Sequence, residues 1–163
     1  MNTRIELNRM PKGLLDGMIK TESFLKNSGF DLRLMELVKY RVSQINKCGY
    51  CLDMHHQEAI ALGESELRLH TLIAYQECPY FEDHEKAALK FAEHLTLTHQ
   101  EEIDDQLYAL LRQYYSEEQI SILTLVITQI NAWNRINKTI GAIPGSYQGI
   151  DRDCKIDCVK DNK

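Results

Sequence analysis

Two thiols and an imidazole stand at a spacing that one helical face can hold. Cys48 and Cys51 are three residues apart and His55 follows four residues later, within the segment ELVKYRVSQINKCGYCLDMHH over 36–56. At ~100° per residue, a helix through these positions brings the three side chains within ~60° of one another. His56 falls well off that face and reads as a solvated surface residue. A free cysteine with a pKa of ~8.5 is only a few per cent thiolate at pH 7, whereas one lowered to ~7 is about half ionised. Three features push that way. The pair lies at an expected helix N-terminus, whose unpaired N–H groups favour negative charge. His55 stands one turn after Cys51 as a base, and Lys47 adds a positive charge beside Cys48. A thiolate of this kind attacks a peroxide O–O bond to give a sulfenic acid, which a second thiol converts to a disulfide for an outside dithiol to reduce.

Glu36 lies twelve residues before Cys48. On one continuous helix that is ~18 Å, too far to touch. A chain reversal at Asn46-Lys47 folds the glutamate back toward the thiols, where it serves as proton acceptor or as orienter of His55. The same set, Cys48, Cys51, His55 and Glu36, has the ligand types of a zinc site, but a structural zinc site draws on two separated ligand pairs and no second pair is present. Tyr40, Gln44 and Trp133 stand where they could line the site, although helical spacing suits packing better. His70, His84, His94 and His99 have no nucleophile paired with them and read as surface or packing residues.

The elements that must hold this site are helical throughout. Pro11, Pro79 and Pro144 fall at element boundaries, and the hydrophobic period between them is close to 3.6. A first helix is expected from Pro11 to near Gly29, with Leu14, Leu15, Met18, Ile19, Ser23 and Leu25 inward. Asp31 caps a second, running to about Asn46, which buries Leu34, Leu37, Val38 and Val42. The motif helix follows a short turn and stops at Gly63. Ser65 caps the next, which carries Leu67, Leu69, Leu72, Ile73 and Tyr75. Helices from around Asp83 and from roughly Asp104 to Tyr114 come after it, and Ser116 with Gln119 forms a capping box for the longest, about Glu117 to Ile140. That last helix is apolar on most sides, as suits a buried helix or one shared between subunits. The fold class is all-α.

Composition sets the outer bounds. A chain of 163 residues with 44% hydrophobic and 26% charged residues suits one globular domain. A net charge of −5 without a basic stripe argues against nucleic acid. No apolar run reaches the ~18 residues of a membrane span, and the N-terminus lacks a secretory h-region, so the expected location is cytoplasmic. After Gly141 the chain turns polar and Gly-rich. Cys154 and Cys158 lie there and read as exposed thiols, a second redox relay being the lesser alternative; Cys78 has no assigned role.

The pattern E-x11-C-x2-C-x3-H, with RVSQINKCGYCLDMH around it and INAWNR near the end, resembles the AhpD-like alkylhydroperoxidase branch of the carboxymuconolactone decarboxylase family. The resemblance covers roughly residues 10–145 and leads to a helical domain over 1–145 and a polar tail over 146–163. It implies a helical bundle of about six to eight helices assembled as a homotrimer or homohexamer. It also implies a two-thiol peroxidase without cofactor or metal, in which Cys51 is the peroxidatic cysteine, Cys48 resolves, His55 is the base and Glu36 belongs to the proton relay. The implied partners are a hydroperoxide substrate and an external dithiol reductant of lipoyl or thioredoxin type. Two positions depart from the family pattern: Tyr50 stands where a histidine precedes the second cysteine, and Lys47 where many relatives have glycine. Two other readings stay open, a decarboxylase of lactone acids that works without a cysteine pair, and a non-catalytic thiol redox sensor.

Overall fold

The computed structural model describes residues 2–148. Among these the chain forms seven α-helices and no strand: α1 Asp16–Lys26, α2 Leu32–Ile45, α3 Gly49–Ala61, α4 Glu66–Thr71, α5 Asp83–Thr96, α6 Asp105–Arg112 and α7 Glu117–Ile140. The all-α expectation and the expected number of helices hold.

Local chemistry sets most of the ends. Asp31 accepts hydrogen bonds from the backbone N–H groups of Arg33 and Leu34 and so starts α2. Ser116 and Gln119 form the expected capping box of α7, which closes at Gly141 in a left-handed conformation, φ 73°. Helix α2 is the hub, packed against α3, α5 and α7. Its Leu34, Leu37, Val38 and Val42 meet Leu123, Val126, Ile127 and Ile130 of α7 in one core. Burial of each such side chain contributes about 1.5–3 kcal/mol, enough to keep β-branched α7 helical against its local preference.

Two elements differ from the sequence reading. Helix α1 begins at Asp16, because Gly13 turns the chain at φ 81° before a helix can start. Its expected inner stripe is inward only in part: Leu14, Ile19 and Ser23 are exposed, Leu15 and Met18 are half-buried, and Leu25 is the residue that seats α1. The α4 segment breaks early into a 3-10 turn over Leu72–Ala74, which buries Leu69, Leu72 and Tyr75 and leaves Leu67 and Ile73 outside.

The connection from α2 to α3 positions the cysteines. Lys47 occupies the left-handed region at φ 53°, where a side chain costs ~1–2 kcal/mol. This is the position where glycine is expected from the family pattern. Lys47→Gly relieves that strain and loses part of the gain to greater freedom of the unfolded chain. The expected net stabilisation is about 0.5 kcal/mol, read as a higher urea midpoint at unchanged m-value.

No helix among the described residues is long and apolar enough to cross a membrane. Of the expected tail, 146–148 are described, and Cys154 and Cys158 lie outside the described residues.

Candidate active site

The reversal after α2 is tied down on several sides. Lys47 and Cys48 donate backbone hydrogen bonds to Gln44 and Ser43. The Asn46 side chain donates to Asn131 Oδ1 at 2.9 Å and to Asn134 Oδ1 at 2.8 Å, and Asn134, fully buried, donates to Ser43 Oγ at 3.1 Å. Lys138 Nζ reaches the Asn46 carbonyl at 2.8 Å. A ladder of asparagines on α7 therefore fixes where α3 begins.

Cys48 is the N-cap of α3 in an extended conformation, and Cys51 lies in the first turn. The two are joined by a disulfide, with Cα atoms 5.3 Å apart. Both are 1% exposed. Helix α3 buries a stripe of Cys51, His55 and Ala59, so His55 follows Cys51 by one turn on the inner face. Cys48 sits at the mouth of that helix rather than inside it, so the pair stands at the helix end where the dipole favours negative charge.

Glu36, brought back by the reversal, accepts from His55 Nδ1 at 2.7 Å through Oε2 and from Lys39 Nζ at 3.1 Å through Oε1. Burial alone would push the Glu36 carboxyl up, but the charges and hydrogen bonds of His55 and Lys39 outweigh it and bring it down to about 2. An ionised Glu36 only accepts, so Nδ1 of His55 carries its proton and a neutral ring leaves Nε2 as an acceptor. Burial likewise disfavours charge on Lys39, yet Glu36 and Glu22 hold its ammonium above the usual lysine range.

A cavity of about 420 Å³ opens on these groups. Cys51, His55, Glu36 and Lys39 line it, and Cys48 does not. Leu7, Leu15, Met54, Ile130 and Trp133 supply apolar wall. Asn137 lines it too and donates to Cys51 Sγ at 3.5 Å, a contact that favours negative charge on that sulfur. At one side, the segment after α7 lies back along α3: Gly145 N–H donates to Asp53 at 2.9 Å, and Tyr147 O–H donates to Glu58. Pro144 comes so near Gly49 that a Cβ there would meet it at 3.1 Å.

A family model matches residues 9–94, more than half of the chain, and its description is the carboxymuconolactone decarboxylase family. The chain belongs to this family. An uncharacterized protein of Bacillus subtilis, YdfG, is 44% identical over 124 residues, 76% of this chain and 84% of that protein. A crystal structure of a protein of unknown function from Agrobacterium tumefaciens, linked by name to the antioxidant defence protein AhpD, superposes with a TM-score of 0.83 at 30% identity. It covers 87% of this chain and 97% of that one. An uncharacterized peroxidase-related protein from Silicibacter sp. shares the fold, with a TM-score of 0.73 at 24% identity over 81% of this chain and 70% of that chain. The fold is thus AhpD-like within the carboxymuconolactone decarboxylase family, as the E-x11-C-x2-C-x3-H pattern implies.

All four residues singled out for chemistry, Cys51, Cys48, His55 and Glu36, come together. Among the described residues no group of three or more His, Cys, Asp or Glu side chains is arranged to hold a metal ion. Trp133 does line the cavity of this family member, whereas Tyr40 packs on His56 and Gln44 accepts from Arg41. His56 pairs with Glu66 at 2.8 Å on the outer side. Burial and the Asp53 carboxylate push Tyr50 up, so this phenol stays protonated near neutral pH. Four residues of the site escape a reading of the sequence: Glu22, Lys39, Asn137 and Tyr147. The i, i+3 relation of Glu36 to Lys39 and the Asn131, Asn134, Asn137 series are the signals that point to two of them.

Proposed function

We propose that the protein is a thiol-dependent hydroperoxide reductase that cycles between a Cys48/Cys51 dithiol and the Cys48–Cys51 disulfide. The observation that carries this reading is the disulfide at the N-terminus of α3, with Cys51 on the wall of a cavity beside a His55–Glu36 pair. In the reduced chain, His55 takes the proton of Cys51, and the thiolate attacks the outer oxygen of a hydroperoxide ROOH. An S–O bond forms and the O–O bond breaks. The departing alkoxide takes a proton from the imidazolium and leaves as ROH. Cys48 then attacks the sulfur of the Cys51 sulfenic acid, the S–O bond breaks, and hydroxide leaves as water with the proton that Cys48 gave up. An external dithiol restores both thiols by two exchange steps and is itself oxidised.

Cys51 is assigned as peroxidatic because it faces the cavity and receives the Asn137 hydrogen bond, whereas Cys48 is set back at the helix cap. No cofactor or metal enters the cycle. The mostly apolar wall suits an organic hydroperoxide. Assembly into homotrimers or homohexamers belongs to the same reading, supported by the outward Leu14, Ile19 and Phe24 near and on α1.

The test is hydroperoxide consumption by the reduced protein with a panel of dithiols of lipoyl and thioredoxin type. Sustained turnover with at least one donor, and loss of two thiols per chain from Cys48 and Cys51 in its absence, is the expected result. Unchanged thiol counts after peroxide would overturn the reading. Stoichiometric oxidation without turnover for every donor would replace it with a redox sensor.

A further inference from the structure

The hydrogen-bonded chain behind His55 continues past Glu36. Lys39 Nζ, 3.1 Å from Glu36 Oε1, also reaches Glu22 Oε2 at 3.3 Å, and the other Glu22 oxygen accepts from Trp133 Nε1 at 3.0 Å. Lys39 is 4% exposed, and Glu22, Lys39, Glu36 and Trp133 all line the cavity that holds Cys51. A lysine this deep keeps its charge only through its partners, and a carboxylate this deep only through its cations. Helices α1, α2, α3 and α7 each give one or more members to this line, so it is built by the tertiary fold and not by one local turn.

We propose that Lys39, bridged to Glu22, is a positioning residue of the relay: it shares the charge of Glu36 with His55 and thereby sets the pH at which Cys51 gives up its proton. The inference rests on the roles assigned above to Cys51, His55 and Glu36. Glu36 without Lys39 would turn an undivided negative charge on the imidazole and on the sulfur one helical turn away. Removal of a positive charge from a poorly solvated cluster raises the proton affinity of every group in it, and removal of a negative charge lowers it. Lys39→Met and Glu22→Gln therefore act in opposite directions. Combined, they restore the original net charge: Glu22, Lys39 and Glu36 sum to −1, and Glu36 alone is −1.

The other charged or titratable groups facing this cluster are few. Helix α1 contributes Lys26 besides Glu22; α3 contributes Tyr50 and Glu58 besides Cys51 and His55; Tyr147 faces it from the segment after α7. Trp133 and Asn137 of α7 are neutral. None of these is altered by the variants.

The experiment follows alkylation of Cys51 by iodoacetamide against pH in the full-length Cys48→Ser chain, with the Cys51 peptide quantified by mass spectrometry. Lys39→Met is expected to move the midpoint to higher pH, and a rise of about one unit from a midpoint well above ~7 slows alkylation at pH 7 by ~10-fold. Glu22→Gln is expected to move it down, Glu22→Gln/Lys39→Met to return it, and Lys39→Arg to keep it. Midpoints unmoved by both single variants, or moved the same way by both, would overturn the proposal. If Lys39→Met does not fold, the direction in which Glu22→Gln moves the midpoint decides alone. Alkylation needs no peroxide, so an absence of peroxidase turnover leaves this result standing on its own.

Discussion

Cys51→Ser is expected to reduce hydroperoxide turnover to the background rate, a loss of ~1,000-fold or more, because a serine oxygen cannot be oxidised to a sulfenic acid or joined to Cys48 in a disulfide. Cys48→Ser is expected to behave differently. Its Cys51 still attacks one equivalent of peroxide per chain, and the reaction then stops at the sulfenic acid for want of a resolving thiol. Stopped-flow peroxide loss and trapping of the sulfenic acid with dimedone distinguish the two. The asymmetry follows from placement: Cys51 lies on the cavity wall under the Asn137 amide, and Cys48 caps the helix behind it. A Cys48→Ser chain inert in the first turnover, with a Cys51→Ser chain active in it, would exchange the two roles.

Glu36→Gln is expected to have the largest effect on stability. The carboxylate is buried between His55 and Lys39, and loss of one partner from a buried ionic cluster costs about 3–5 kcal/mol. The pH dependence carries a sign. The folded carboxyl is lowered to about 2 from its ordinary 4.5, so its contribution, about 3 kcal/mol, is complete above pH 4.5. It is lost as the pH falls from there toward about 2. Urea unfolding of the two chains should therefore differ most near neutral pH and converge in acid. Turnover should fall as well, by ~100-fold or more, because a Gln side chain can donate to Nδ1 and favour the tautomer whose proton is on Nε2. Equal stabilities at pH 7 would show that Glu36 holds no buried charge pair.

How much of this was readable in the residues differs from one to the next. Asp31, Ser116 with Gln119, and Gly141 announced helix ends because capping is local chemistry, and each does what its type suggests. Cys51 and His55 were readable because one helix carries both. Glu36 needed a turn between two helices, and the Asn46-Lys47 break was enough to suggest it. Glu22 was not readable. It meets Lys39 of α2 and Trp133 of α7 only because α1 packs beside both, and no spacing in the chain encodes that. Leu14 and Ile19 misled for the complementary reason: apolar residues at helical spacing point to a face, but not to whether this chain covers it.

The burial of the disulfide bears on when the protein rests oxidised. With both cysteines at 1% exposure, a thiol reaches the bond by way of the cavity that Cys51 lines, and Tyr147, held by Glu58, lines that cavity too. A bulky monothiol in bulk solution is kept away from the bond by shape, whatever its reduction potential. Under the proposed cycle, burial of this kind is expected to insulate the oxidised state kinetically from the surrounding thiol pool and to favour a slender donor.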